Sequence, residues 1–305
     1  MALNNPAFNN PAFQDPRAVQ SYPGGANAAN LGGSTQFATA QRAGTDAAAQ
    51  ANLEGMYSAP SAGSTDTGRM TIEDTVAKTI GLFAILVVGA VVGWIWTMSP
   101  VTAQNPNPTV LPMIVGGLVG FVLSLVVIFT SRKKVRPGLI FAYAAAEGLF
   151  VGGISAFFEF MFDGIVLQAT LGTLAVVGVT LALFASGKIR ASKRATKIFL
   201  VAMVGYLVFS LLNVGLMLFG ATDSAFGLRS AESPLFGIPW GVIIGVFVVI
   251  MAAYSLVLDF DQIQQGVRNG APRKMGWLGG FGIMVTVVWL YVEILRMIAI
   301  IRGSN

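Results

Sequence analysis

Seven stretches of this chain run almost free of charge, at about residues 80–98, 110–130, 139–158, 164–186, 198–221, 236–258 and 276–301. Each is about 19 to 26 residues long, enough to cross a hydrocarbon core of about 30 Å at 1.5 Å per residue. A helix of a soluble bundle would show polar residues every three or four positions, and these segments do not. Lipid offers no partner to unpaired backbone groups, so each stretch must be helical. Strands of a membrane barrel would be about ten residues long and alternate in polarity, a pattern absent here. The fold class is therefore all-α, a polytopic membrane protein with seven transmembrane helices. Only 11% of residues are charged and the mean hydropathy is +0.70, against roughly 25% charged in a soluble domain.

Residues 1 to 68 have a different composition. They are rich in Ala, Asn, Gly, Gln, Ser and Pro, and poor in large aliphatics. Such a segment buries too little apolar area to offset chain entropy and is expected to be a disordered tail, leaving residues 69 to 305 as the membrane domain. The tail opens with Asn4-Asn5-Pro6-Ala7-Phe8 repeated as Asn9-Asn10-Pro11-Ala12-Phe13. Phe8 and Phe13 could dock a partner, but the simpler reading is a low-complexity tail whose repeat arose by slippage. No signal peptide is expected, since the first apolar run begins near Ile80.

Basic residues set the expected orientation. Fourteen Lys and Arg fall on one side, in the stretches holding Arg69 and Lys78, Arg132 to Arg136, Lys188 to Lys197, and Arg268 to Lys274. Arg229 and Arg302 alone fall on the other. The N-terminus is expected in the cytoplasm and the chain in the cytoplasmic membrane. The net charge of +5 is assigned to this orientation, with the lipid bilayer and not nucleic acid as partner.

The chain has no Cys and no His. That excludes a Cys/His zinc site, a Cys nucleophile, a His general base and any disulfide. No Walker loop, HExxH or GxSxG is present, so no enzyme activity is expected. Calcium prefers six to eight oxygen ligands, and no dense acidic loop supplies them. No cofactor is expected and at most weak calcium binding; no metal ligand set is assigned.

Small residues recur four apart in Gly89/Gly93, Gly116/Gly120/Ser124, Ala144/Gly148/Gly152/Ala156 and Gly237/Gly241/Gly245. This spacing lets helix backbones approach closely, and four such stripes predict one compact bundle. Ionisable residues at membrane depth mark function or a paired structural role. Glu147 lies mid-span beside the third stripe and is read as a lining or structural group. Glu293 and Arg296 lie three apart and can meet on one helical face. Asp259 and Asp261 close the sixth apolar run. There they are either a solvated interfacial pair or a titrating gate, since partial burial and a neighbouring like charge both favour the protonated form of a carboxylate.

The runs Ala146-Glu147-Gly148-Leu149-Phe150-Val151-Gly152-Gly153-Ile154, Leu258-Asp259-Phe260-Asp261-Gln262-Ile263 and Trp289-Leu290-Tyr291-Val292-Glu293-Ile294-Leu295-Arg296 resemble the Bax inhibitor (transmembrane Bax inhibitor motif, YccA-like) family. The Asn-Pro-Ala-Phe opening is similar to its bacterial branch with a long N-terminal tail. The resemblance covers about residues 70 to 302. It implies six helices wrapped around a central seventh, and a pH-sensitive calcium leak or exchanger-like pore governed by two aspartates. Asp259 matches the first; Thr286 stands where the second would be, and Asp261 or Glu293 would have to substitute for it. The alternative is a non-conducting regulator that binds another membrane protein, such as a quality-control protease.

Overall fold

Local signals start and stop each helix. Thr71 accepts a hydrogen bond from the Asp74 amide at 3.2 Å and caps α1, Ile72–Met98, whose first turn carries Glu73 and Asp74. Acceptors and acidic groups at that end match the free amides and the helix dipole. Prolines in the first turn open α2, Leu111–Ser131, and α3, Pro137–Met161. The chain reverses at Gly164, with φ of 76°, into α4, Ile165–Ala185. The Glu159 carboxylate accepts from the Gly164 and Val166 amides at 2.7 and 2.9 Å there. Ser192 caps α5, Lys193–Leu218, and a single 3-10 turn, Gly227–Ser230, precedes α6, Trp240–Arg268. Gly270, with φ of 68°, ends α6 and leads through Pro272 into α7, Met275–Gly303.

These elements come from a computed structural model that describes residues 68–222, 226–233 and 237–303. The expected tail, with Phe8 and Phe13, lies outside the described residues except for Gly68. Among the described residues seven helices are long and apolar enough to cross a membrane, and the protein is an all-α polytopic membrane protein.

The seventh helix is the centre. It packs directly on α1, α3, α4 and α6. Its first half places Leu278, Phe281 and Met284 against Leu82, Ile140, Tyr143 and Ala144; its second half places Leu290, Ile294 and Leu295 against Ile165, Ala169, Ala252 and Leu256. The small-residue stripes explain how closely the helices approach. A Cβ on Gly89 would lie 2.7 Å from the Ala145 carbonyl oxygen. One on Gly93, Gly148 or Gly152 would collide with the backbone of Leu149, Leu86 or Ala90, and one on Gly116 with that of Phe150. So α1 and α2 lie backbone to backbone on α3. Gly237 takes no part in such a contact: it lies before α6, with φ of 65° and open space around it.

Helix ends differ from the apolar runs at two places. The first helix begins at Ile72, well ahead of residue 80, because the buried Lys78 is paired and so tolerated inside the helix. The sixth continues ten residues past Leu258 to Arg268. The apolar run ends at Asp259 but the helix does not, since Gln and Arg are good helix formers. Asp259 is therefore an interior residue of α6, about 14 Å of rise from its end.

Candidate functional site

The α6–α7 pair is antiparallel and joined by a short turn, so residues equally far from that turn face each other. Asp259 precedes the end of α6 by nine residues, and Thr286 follows the start of α7 by eleven. Thr286 Oγ1 donates to Asp259 Oδ2 at 2.7 Å, and both side chains are buried, Asp259 with 0% exposure. Ser255 Oγ lies 3.4 Å from Thr286 Oγ1. A hydroxyl can donate to an ionised carboxylate or accept from a protonated one, so Thr286 is able to partner Asp259 in either state.

Asp261 is not part of this contact. Two residues on, it sits about 200° around the helix, half-buried, with Oδ2 accepting from Gln265 Nε2 at 2.7 Å. The interfacial pair read from the sequence is thus split, with the two aspartates on different faces. Gln262 takes the place beside Asp259. It lies one turn nearer the helix end, is buried, and its Nε2 has no hydrogen-bond partner among the described residues. Ser255, Asp259 and Gln262 repeat at helical spacing and form a polar file on an otherwise apolar face. That spacing was available in the sequence; the order of the three residues on one face is the signal that finds Gln262.

Glu293 lies two turns beyond Thr286 on the same face of α7, with 2% exposure. Its carboxylate pairs with Arg296 and accepts from Tyr206 Oη of α5 at 2.8 Å. Arg296 Nη2 also donates to Tyr206 Oη at 2.7 Å. The sequence reading paired Glu293 with Arg296 but left out Arg229, which it counted as a loop charge. The 3-10 turn folds Arg229 inward to 3% exposure, with Nη1 3.9 Å from Glu293 Oε1 and Nη2 donating to Ser210 Oγ at 2.9 Å. Its guanidinium covers the Tyr206 and Phe209 rings at 5.3 and 5.4 Å. Asn213 fixes the turn by accepting from the Leu228 amide at 2.8 Å. An isolated Arg on the side with few basic residues was the available hint.

Glu147 belongs to a different interface. It is half-buried, hydrogen-bonded to Tyr143, and faces α2 where a Cβ on Gly120 would lie 2.8 Å from its Oε2. The structure does not bring it to Asp259 or Glu293. Among the described residues no three acidic side chains are placed to hold a metal ion.

At the end bearing the basic loops, Asp74 binds Lys78 and accepts from Arg273 Nε at 3.0 Å. Lys78 Nζ also donates to the Arg273 carbonyl at 2.6 Å. Beside this cluster the Met70 amide donates to the Ala271 carbonyl at 2.7 Å, and the Arg273 amide to that of Gly68 at 2.8 Å. The segment before α1 is thereby strapped to the α6–α7 turn.

Fold and site together define a seven-helix membrane protein whose central helix holds a buried hydroxyl–carboxylate contact and, two turns on, a buried carboxylate–guanidinium cluster. Such a chain matches the family described as Bax inhibitor 1 like over residues 5–303, and it belongs to that family. No curated protein and no solved structure matches it.

Proposed function

We propose that this protein is a pH-responsive leak for calcium or another cation, with Asp259 as the titrating gate and the tail and basic loops in the cytoplasm. The observation that carries the reading is the complete burial of Asp259 in a membrane-spanning helix, on a hydroxyl of the central helix. A carboxylate at such depth is costly unless it has a role. Protonated, Asp259 donates across the α6–α7 interface and keeps it shut. Ionised, it draws in water or a cation in place of the Thr286 hydroxyl, and Gln262 Nε2, which has no hydrogen-bond partner among the described residues, supplies the next polar station towards the basic end. A leak needs only weak sequential sites of this kind.

The test is calcium flux into liposomes holding the purified protein, recorded across pH. Flux should rise with pH, and Asp259→Asn should remove the pH dependence while keeping the shape. No flux at any pH would favour the non-conducting regulator that binds another membrane protein. A pH response that survives Asp259→Asn would move the gate to Glu293 or Glu147. For orientation, single cysteines at Lys188 or Lys197 should resist an impermeant thiol reagent added outside intact cells.

A further inference from the structure

The loop between α4 and α5 and the start of α5 carry Lys188, Arg190, Lys193, Arg194 and Lys197, and no acidic residue occurs between Asp163 and Asp223. All five side chains are exposed, and none joins the ion pairs formed among the described residues. Only Arg190 has a fixed place. Its Nη1 donates to Gln264 Oε1 at 3.0 Å and its guanidinium covers the Phe184 ring at 4.6 Å. Lys193 and Arg194 occupy the first turn of α5, which has no acidic residue. Cations there oppose the helix dipole, so local helix stability does not account for them.

The helix these charges sit on is the least packed of the seven. Among its residues only Phe199 and Asn213 are buried, while Ile198 and Val201 are 71% and 68% exposed. Its basic end is held by Thr196 Oγ1 at 2.9 Å from Tyr254 Oη, with Phe199 against Val248, Met251 and Leu258. The other basic corner, Arg132, Lys133, Lys134 and Arg136, joins α2 and α3, which already interlock through glycines. Uncompensated charge on a weakly held helix is thus specific to the α4–α5 corner.

We infer that this corner is a docking site for anionic phospholipid headgroups, whose phosphates complement Lys188, Lys193, Arg194 and Lys197 and pin α5 against α6. The inference does not rest on the leak reading. Each cation at a membrane surface is worth about fivefold in affinity for anionic lipid. Because α5 also carries Tyr206, which donates to Glu293, headgroup binding at one end steadies the buried cluster towards the other.

The test uses the full chain in nanodiscs of phosphatidylcholine, with or without phosphatidylglycerol, read by native mass spectrometry and hydrogen exchange. Phosphatidylglycerol should bind more than tenfold tighter than phosphatidylcholine and slow exchange at the start of α5. Changing all four residues to Gln (K188Q, K193Q, R194Q, K197Q) should remove both effects; the same change at Arg132, Lys133, Lys134 and Arg136 should keep them. Raising salt should weaken the effects in the unmutated protein, a readout that does not depend on how the variants insert. Equal binding of the two lipids, or equal loss from the two sets of substitutions, would overturn the inference.

Discussion

Thr286→Val tests whether the buried hydroxyl holds the α6–α7 interface at Asp259. Valine keeps the shape and removes the donor of a 2.7 Å bond to a carboxylate, together with the longer contact to Ser255. A hydrogen bond to a charged group contributes about 1.5–3 kcal/mol, against about 1 kcal/mol for a neutral pair. While Thr286 is the carboxylate's partner, the substitution should cost about 2 kcal/mol. For a chain of this size that is roughly 4–8 °C in melting temperature, read from thermal unfolding of the detergent-solubilised protein. In an Asp259→Asn background the same change loses only a neutral bond, and its cost should fall to about 1 kcal/mol. The difference is the coupling of the pair. Equal cost in both backgrounds, or less than about 0.5 kcal/mol in the first, would refute the claim that this bond holds the interface.

Three further outcomes follow from the packing. Gly152→Leu should abolish folding in detergent, because its Cβ would collide with the Ala90 backbone, whereas Gly178→Ala, in open space, should leave stability unchanged or raise it by up to about 1 kcal/mol, read from thermal unfolding. Arg229→Gln should cost about 1–3 kcal/mol, since Glu293 loses one cation but keeps Arg296 and Tyr206, and Arg229→Gln with Glu293→Gln should cost less than the sum of the two. Deleting residues 1–67 should leave the melting temperature unchanged, while deleting through Thr71 removes the buried Met70 and the α1 cap and should lower it by several degrees.

The spans and their packing were legible in the sequence because lipid permits so few solutions. A long apolar run must be a helix, and small residues four apart within it let a neighbour approach closely; Gly237 falls outside that rule because it precedes α6. Helix ends were less legible at α6, because hydropathy reports where apolar side chains stop and not where backbone hydrogen bonding stops. Asp259 and Thr286 could each be picked out by position, but their contact depends on the antiparallel offset set by the turn around Gly270. Arg229 was hidden for a different reason. Whether a loop cation faces water or a buried carboxylate is decided by the fold of the loop, here by Asn213 on the 3-10 turn. Asp261 illustrates the reverse case, since residues two apart in sequence are almost opposite each other on a helix.

The strap between residues 68–71 and the α6–α7 turn fixes where the segment before α1 meets the bundle. The chain enters the membrane domain tied by main-chain bonds to Ala271 and Arg273, and by Asp74 to Arg273. Tension entering at residue 68 is shared between α1, which continues the chain, and the one covalent link between the two helices that carry Asp259 and Thr286. Those helices act as paired lever arms about 14–17 Å long from the turn to the buried contact. A pull on residue 68 would therefore load that buried contact from a distance.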